Sequence, residues 1–306
     1  MPLVSSKPIM EEAVRRHFAV GAFNANNMEQ VQAIVEAAQE ERAPVILQVS
    51  QGAIRYAGMD FAAGLVKIAA ASVTVPVVLH LDHGTDFEQN VRCLRAGFTS
   101  LMIDGSKKPY AETVATTKRV ADLAHLVDIP VEAELGQVLN VAGGVTPEQV
   151  RAAMTNPDQA RDFVTRTGCD SLAVACGSVH AMTSREATLD IDRIKAIFDQ
   201  VHIPLVLHGS SGVKHDSVVA AIAAGIAKVN VATTLNQAFI DGVRKAVADM
   251  PTETDPRKIL GAGRDQVKEA VREKLRLFGS SGTIDSMGGF VSAAKQFRSA
   301  ELGEIE

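Results

Sequence analysis

The sequence predicts a (β/α)8 TIM barrel, and three observations carry that expectation. Eight short apolar runs rich in β-branched residues recur along the 306 residues. Longer helix-like stretches separate them. Polar and small residues gather directly after the runs, on the side where a barrel builds its site. Near-continuous apolar runs suit parallel strands buried on both faces. Eight βα units in roughly 250 residues suit a closed barrel.

Taken in order, the runs are Phe18–Phe23, Pro44–Val49, Val75–Leu81 and Thr99–Ile103, then Pro130–Leu135, Ser171–Cys176, Pro204–Leu207 and Lys228–Val231. Met28–Ala43, Phe87–Ala96 and His215–Ala224 read as helices between them. A doubly wound sheet is the alternative. It usually carries a glycine-rich turn after its first strand. Here that turn is Asn24, Ala25, Asn26 and Asn27, with no glycine. No low-complexity linker divides the chain. We therefore expect one barrel domain over residues 1–282, with extra C-terminal helices. The tail, 283–306, holds a helix-like stretch around Phe290–Phe297 that is a candidate subunit contact.

Composition removes several function classes. The net charge is −5 and no arginine or lysine run stands out, which argues against a nucleic-acid surface. A phosphate site must then rely on backbone N–H groups, a metal and a few placed cations. Cys93, Cys169 and Cys176 are odd in number and irregular in spacing, as in a reduced cytoplasmic protein. The N-terminus has no apolar signal region, and no apolar run approaches the ~20 residues that span a bilayer.

The polar residues that follow the runs are the informative ones. Run one ends in Asn24, run two in Ser50, run three in Asp82 and His83, run four in Asp104. Run five contains Glu132 and Glu134, run six leads to His180, run seven ends in His208, and run eight contains Asn230 and leads to Thr233. In a barrel all of these approach one mouth. A lone histidine there is more often a satisfied core residue. Three on separate strands, His83, His180 and His208, match a catalytic zinc site with an open fourth position. His17, His125, His202 and His215 fall before strands and read as surface or hydrogen-bonded histidines. His80 reads as packing or as support for the site. Asp82 is suited either to shuttle a proton or to orient a histidine. Asp104 and Glu134 form either a secondary cation site or a hydrogen-bonded structural pair. Gly209, Ser210, Ser211 and Gly212, with Asn230, Val231, Ala232 and Thr233, suit a phosphate after strands seven and eight.

Together these segments resemble the class II ketose-bisphosphate aldolases. VGAFNANN, VVLHLDHG, SLMIDGS, VEAELG, LVLHGSSG, AKVNVAT and DPRKILGAGRD carry the resemblance, which spans about residues 3–282. It implies a homodimeric or homotetrameric cytoplasmic lyase of glycolysis and gluconeogenesis. One catalytic zinc would sit on His83, His180 and His208, with a second divalent or monovalent cation near Asp104 and Glu134. Asp82 would transfer the proton while zinc, as a Lewis acid, stabilises the enediolate. Substrate contacts would come from Asn24, Ser50, Ala181, Gly209, Ser210, Ser211, Asn230, Val231, Ala232 and Thr233. Arg257 would grip the far phosphate, across a subunit boundary. A Schiff-base route would want a lysine within a barrel strand. Runs one to seven have none, and Lys228 is expected only at the start of run eight.

Three features depart from the family pattern. Ala181 follows His180 where relatives usually have glycine, and Arg185 stands near the place of a lysine, a candidate phosphate contact. Gln137 and Asn140 occupy a stretch that is often acidic. Asn230-Val231-Ala232-Thr233 is similar to tagatose-bisphosphate aldolases, and other segments resemble the aldolase that cleaves 6-phospho-5-dehydro-2-deoxygluconate. Fructose 1,6-bisphosphate, cleaved to dihydroxyacetone phosphate and glyceraldehyde 3-phosphate, is the leading expectation. A metal-dependent hydrolase on the same barrel would want His-x-His after strand one, where this chain has Asn24-Ala25-Asn26.

Overall fold

A computed structural model describes residues 3–140, 144–181 and 186–287. Helix α1 (Ser6–Arg16) precedes β1 (Val20–Asn24), α2 (Met28–Glu41) and β2 (Val45–Ser50). Next come α3 (Gln51–Ala57), α4 (Met59–Ser72), β3 (Val77–Asp82), α5 (Phe87–Arg95), β4 (Leu101–Ile103) and α6 (Tyr110–His125). Then follow β5 (Val131–Leu135), α7 (Pro147–Ala153), α8 (Pro157–Thr167), β6 (Ser171–Val174), α9 (Ile191–Val201) and β7 (Leu205–Leu207). The series ends with α10 (His215–Ala223), β8 (Ile226–Val231), α11 (Thr233–Asp249) and α12 (Pro256–Leu277).

The eight strands are parallel, in the order β3-β2-β1-β8-β7-β6-β5-β4. Parallel bridges His80↔Ser100 and Gly84↔Ile103 join the two outer strands of that order, β3 and β4. The fold is the expected (β/α)8 barrel. Each predicted run contains or overlaps a strand, with boundaries moved by one or two residues. The helices also start where the local chemistry says they should. The Asn27 side chain accepts from Gln30 N to cap α2, and Thr146 and Gln149 form a reciprocal cap on α7.

Alternation along each strand separates two cores. Val45, Leu47, Leu79, Leu81, Val131 and Ala133 pack outward against the helices. Ala22, Ile46, Val78, Ala173 and Val206 join Ile9, Met10 and Ala13 of α1, which packs against the interior strand residues. The next inward positions along β2, β3 and β5 hold Gln48, His80 and Glu132, all buried. The interior therefore changes from apolar to polar before the mouth begins.

Two placements differ from the sequence reading. Lys228 is the third residue of β8, inside the strand and fully buried, because β8 starts earlier than its apolar run suggested. His180 lies six positions beyond the end of β6, on the following loop. A short 3-10 turn, Thr283–Ser286, follows α12. The expected helix at Phe290–Phe297 lies outside the described residues, as does Arg185.

Candidate active site

The site begins with three neighbouring strands. Gln48 Nε2 donates to Asn24 Oδ1 at 3.0 Å, and Asn24 Nδ2 donates to Asp82 Oδ2 at 2.7 Å. Asp82 is buried, and its Oδ1 has no hydrogen-bond partner among the described residues. Burial pushes the carboxyl up, but His83, His208 and the Asn24 amide outweigh it and hold it below its ordinary value. Asp82 is thus oriented by one oxygen and open at the other.

His83 follows with a left-handed backbone, φ 51°. Its Nδ1 lies 2.8 Å from Asp104 Oδ2, so Nε2 is the nitrogen left free, 3.9 Å from Asp82 Oδ1. Ser106 steadies Asp104 through its backbone N–H and its hydroxyl, at 3.0 and 2.7 Å. Burial opposes a charge on the His83 ring, yet Asp82, Asp104 and Glu134 lift its pKa to about 10. The carboxylates around this ring call for a positive charge.

His208 is fully buried at the end of β7. Its Nε2 lies 3.0 Å from Glu132 Oε1. Its Nδ1 is 3.5 Å from Glu134 Oε2, and neither atom has a hydrogen-bond partner among the described residues. Burial pushes Glu134 up, and the pull of His208 does not cancel it. His180 is tied to the loop after β5, its backbone N–H donating to Leu139 O at 2.7 Å. Burial, reinforced by His208 and His83, depresses its ring to about 4. It is therefore a neutral imidazole near pH 7, the form that ligates metals.

The three rings converge. Their centroids are 4.8 Å apart for His83 and His208, 5.7 Å for His83 and His180, and 6.2 Å for His180 and His208. Among the described residues, two trios have ligand atoms close enough to hold a cation: His83, His180 and His208; and His83, Asp104 and Glu134. Buried lone pairs with nothing to bind cost free energy. His208 Nδ1 and Glu134 Oε2 are such atoms, and a cation between them would satisfy both.

Beside the rings lies a cavity of about 130 Å³. Asn24, Ala181, Gly209, Ser210, Ser211, Asn230, Ala232 and Thr233 line it with Asp82, His83 and His180. Gly209 is left-handed, φ 65°, and a Cβ there would meet the Val179 backbone at 3.0 Å. Ser211 Oγ accepts from Thr234 Oγ1 at 3.1 Å, which ties the β7 loop to the start of α11. Three expected contacts do not line this cavity. Ser50 caps α3 by accepting from Ala53 N, and Val231 is buried in β8. Arg257 is exposed at the start of α12, paired with Asp255 at 2.7 Å. Ala181 lines the cavity with φ 62°, a conformation that favours glycine.

The site also contains a residue with no role evident from the sequence. Lys228 Nζ donates to Glu132 Oε2 at 2.8 Å, directly beneath His208. The signal was present: a lysine inside an otherwise apolar strand must point at a buried acceptor. Its inclusion in β8 removes the positional ground for setting aside a Schiff base. The chemical ground is that its ammonium is buried against Glu132 and His80 and does not line the cavity.

Residues 4–283 match the family model described as fructose-bisphosphate aldolase class-II. The chain belongs to this family. Class II aldolases are zinc-dependent lyases, and this chain is a member of that family. It is 45% identical to the fructose-bisphosphate aldolase of Geobacillus stearothermophilus, over 92% of this chain and 99% of that one. With the fructose-bisphosphate aldolase of Thermus caldophilus the identity is 42%, at the same coverage. Among solved structures, the YdjI aldolase of Escherichia coli K12 matches with a TM-score of 0.81 and 36% identity, over 92% of this chain and 99% of that one.

Proposed function

We propose that this class II aldolase cleaves fructose 1,6-bisphosphate reversibly to dihydroxyacetone phosphate and glyceraldehyde 3-phosphate, with one zinc ion on His83, His180 and His208. The observation that carries the reading is the convergence of three imidazoles beside an oriented, half-open aspartate. The names of the Geobacillus and Thermus relatives support the substrate.

When bound, zinc would supply the Lewis acidity that polarises the ketone and favours negative charge on that half of the sugar. The chain supplies the rest. Asp82 takes the proton of the C4 hydroxyl on its open Oδ1, while Asn24 fixes the other oxygen. The O–H electron pair forms the aldehyde carbonyl, and the C3–C4 pair stays on the ketone half. In synthesis Asp82 returns the proton to the aldehyde oxygen. The turn at Gly209, Ser210 and Ser211 offers backbone N–H groups to a phosphate, with Asn230 and Thr233 opposite. Asp104 and Glu134 hold His83 and provide for a second cation. Arg257, exposed in one protomer, reaches the far phosphate in the site of a neighbour within a cytoplasmic homodimer or homotetramer.

The test is a coupled cleavage assay on fructose 1,6-bisphosphate, tagatose 1,6-bisphosphate and 6-phospho-5-dehydro-2-deoxygluconate. The highest kcat/KM should fall on the fructose ester. Preference for another would keep the chemistry and move the substrate. No cleavage of any of the three by zinc-loaded protein would remove the aldolase reading.

A further inference from the structure

Beneath the histidines lies a buried polar chain that the reaction does not use. Glu132 on β5, Lys228 on β8 and His80 on β3 are each 2% exposed or less. Glu132 Oε1 lies 3.0 Å from His208 Nε2, and its Oε2 lies 2.8 Å from Lys228 Nζ. Lys228 Nζ is 3.3 Å from His80 Nε2, and His80 Nδ1 is 2.8 Å from Ser100 Oγ. Ser6 of α1 donates to the same Ser100 oxygen at 2.9 Å. The chain runs from a proposed metal ligand to the helix that packs against the inner core.

Its polarity follows from one group. An ammonium only donates. Lys228 therefore makes His80 Nε2 an acceptor, so His80 carries its proton on Nδ1 and gives it to Ser100. On the other side Lys228 fixes Glu132 as a carboxylate, which only accepts. His208 must then donate from Nε2. A metal-bound imidazole keeps one N–H, and with that N–H on Nε2 the lone pair of His208 Nδ1 is the one available to a metal. That atom is buried without a hydrogen-bond partner among the described residues, on the side of Glu134.

We propose that Lys228 is a positioning residue for the metal site: through Glu132 it holds His208 in the tautomer that leaves Nδ1 free to bind zinc. The inference rests on His208 being a zinc ligand. Partners behind metal-bound histidines typically change affinity by about 10–100-fold when removed. Removing one partner of a buried ion pair costs stability whatever its role, so zinc affinity and the His208 tautomer, not folding, separate a positioning lysine from a purely structural one.

The experiment uses the full chain as wild type, Lys228→Met, Lys228→Arg and His208→Ala. Zinc affinity is read by competition with a chromophoric chelator. The tautomer of His208 is read by 15N NMR of zinc-free, histidine-labelled protein, assigned by the signal lost in His208→Ala. Wild type should show the Nε2–H form. Lys228→Met should lose about 10–100-fold in zinc affinity and the pure Nε2–H signature, and Lys228→Arg, also a donor-only cation, should keep both. The proposal is overturned by an Nδ1–H wild type, or by folded Lys228→Met with zinc affinity within twofold of wild type. If Lys228→Met does not fold, an Nε2–H form in both wild type and Lys228→Arg supports the proposal, and an Nδ1–H form in either overturns it. Full zinc occupancy in His208→Ala would instead overturn the ligand assignment itself.

Discussion

Asp82 shows how much one side chain depends on its neighbours. Its Oδ2 is held by Asn24, which is held by Gln48, so the open oxygen has one direction. Asp82→Ala should lower kcat by ~10²–10⁴-fold and leave zinc content unchanged, as rate and metal analysis of the purified variant would show. An unchanged rate would end its role as the proton carrier. Gly209 is constrained in a different way. A methyl group at its left-handed position would press on the Val179 backbone. Gly209→Ala should therefore cost about 1–3 kcal/mol in chemical denaturation and raise KM for the bisphosphate. Asp82, His83 and His208 were legible in the sequence because they end apolar runs. Gln48, His80 and Lys228 were less so: each sits inside a strand, where sequence gives the strand but not the partner across the lumen.

At the level of elements, the strands and their order were readable because near-continuous apolar runs and the βα alternation leave few other folds. What was not readable is how loops are tied together. His180 is placed by a backbone bond to Leu139, a residue that nothing in the sequence singles out. Asp170 is a second case. It sits just before β6, accepts from Val131 N of β5 at 2.9 Å, and pairs with His125 of α6 and Lys7 of α1. One carboxylate thus joins four elements at the end of the barrel away from the site. Asp170→Ala should lower unfolding free energy by about 1–3 kcal/mol, since it strands a backbone donor and a histidine. Zinc affinity should not move. A variant as stable as wild type would show that these contacts are not made in solution.

Across the whole molecule, charge and metal are linked. Burial disfavours charge on His83, but Asp82, Asp104 and Glu134 raise its pKa to about 10 from an ordinary 6.5. A raised pKa contributes stability that is full below 6.5 and disappears as pH climbs through 10. Metal-free protein should therefore lose thermal stability between pH 7 and 10. Zinc that binds Nε2 must displace that proton, so uptake at pH 8 should release protons. Calorimetry in buffers of different ionisation enthalpy checks this, and a buffer-independent heat would contradict it. The substrate was the least legible feature. Ala181 and Ala232 line the cavity as small, apolar surfaces, and nothing in their chemistry names one ketose over another. The chemistry, however, turns on the metal. The most direct test is to dialyse the protein against a strong chelator, assay cleavage of fructose 1,6-bisphosphate, and add zinc back in steps. Activity should disappear with the metal and return in full at one zinc per active site. Full activity in metal-free protein would contradict zinc dependence.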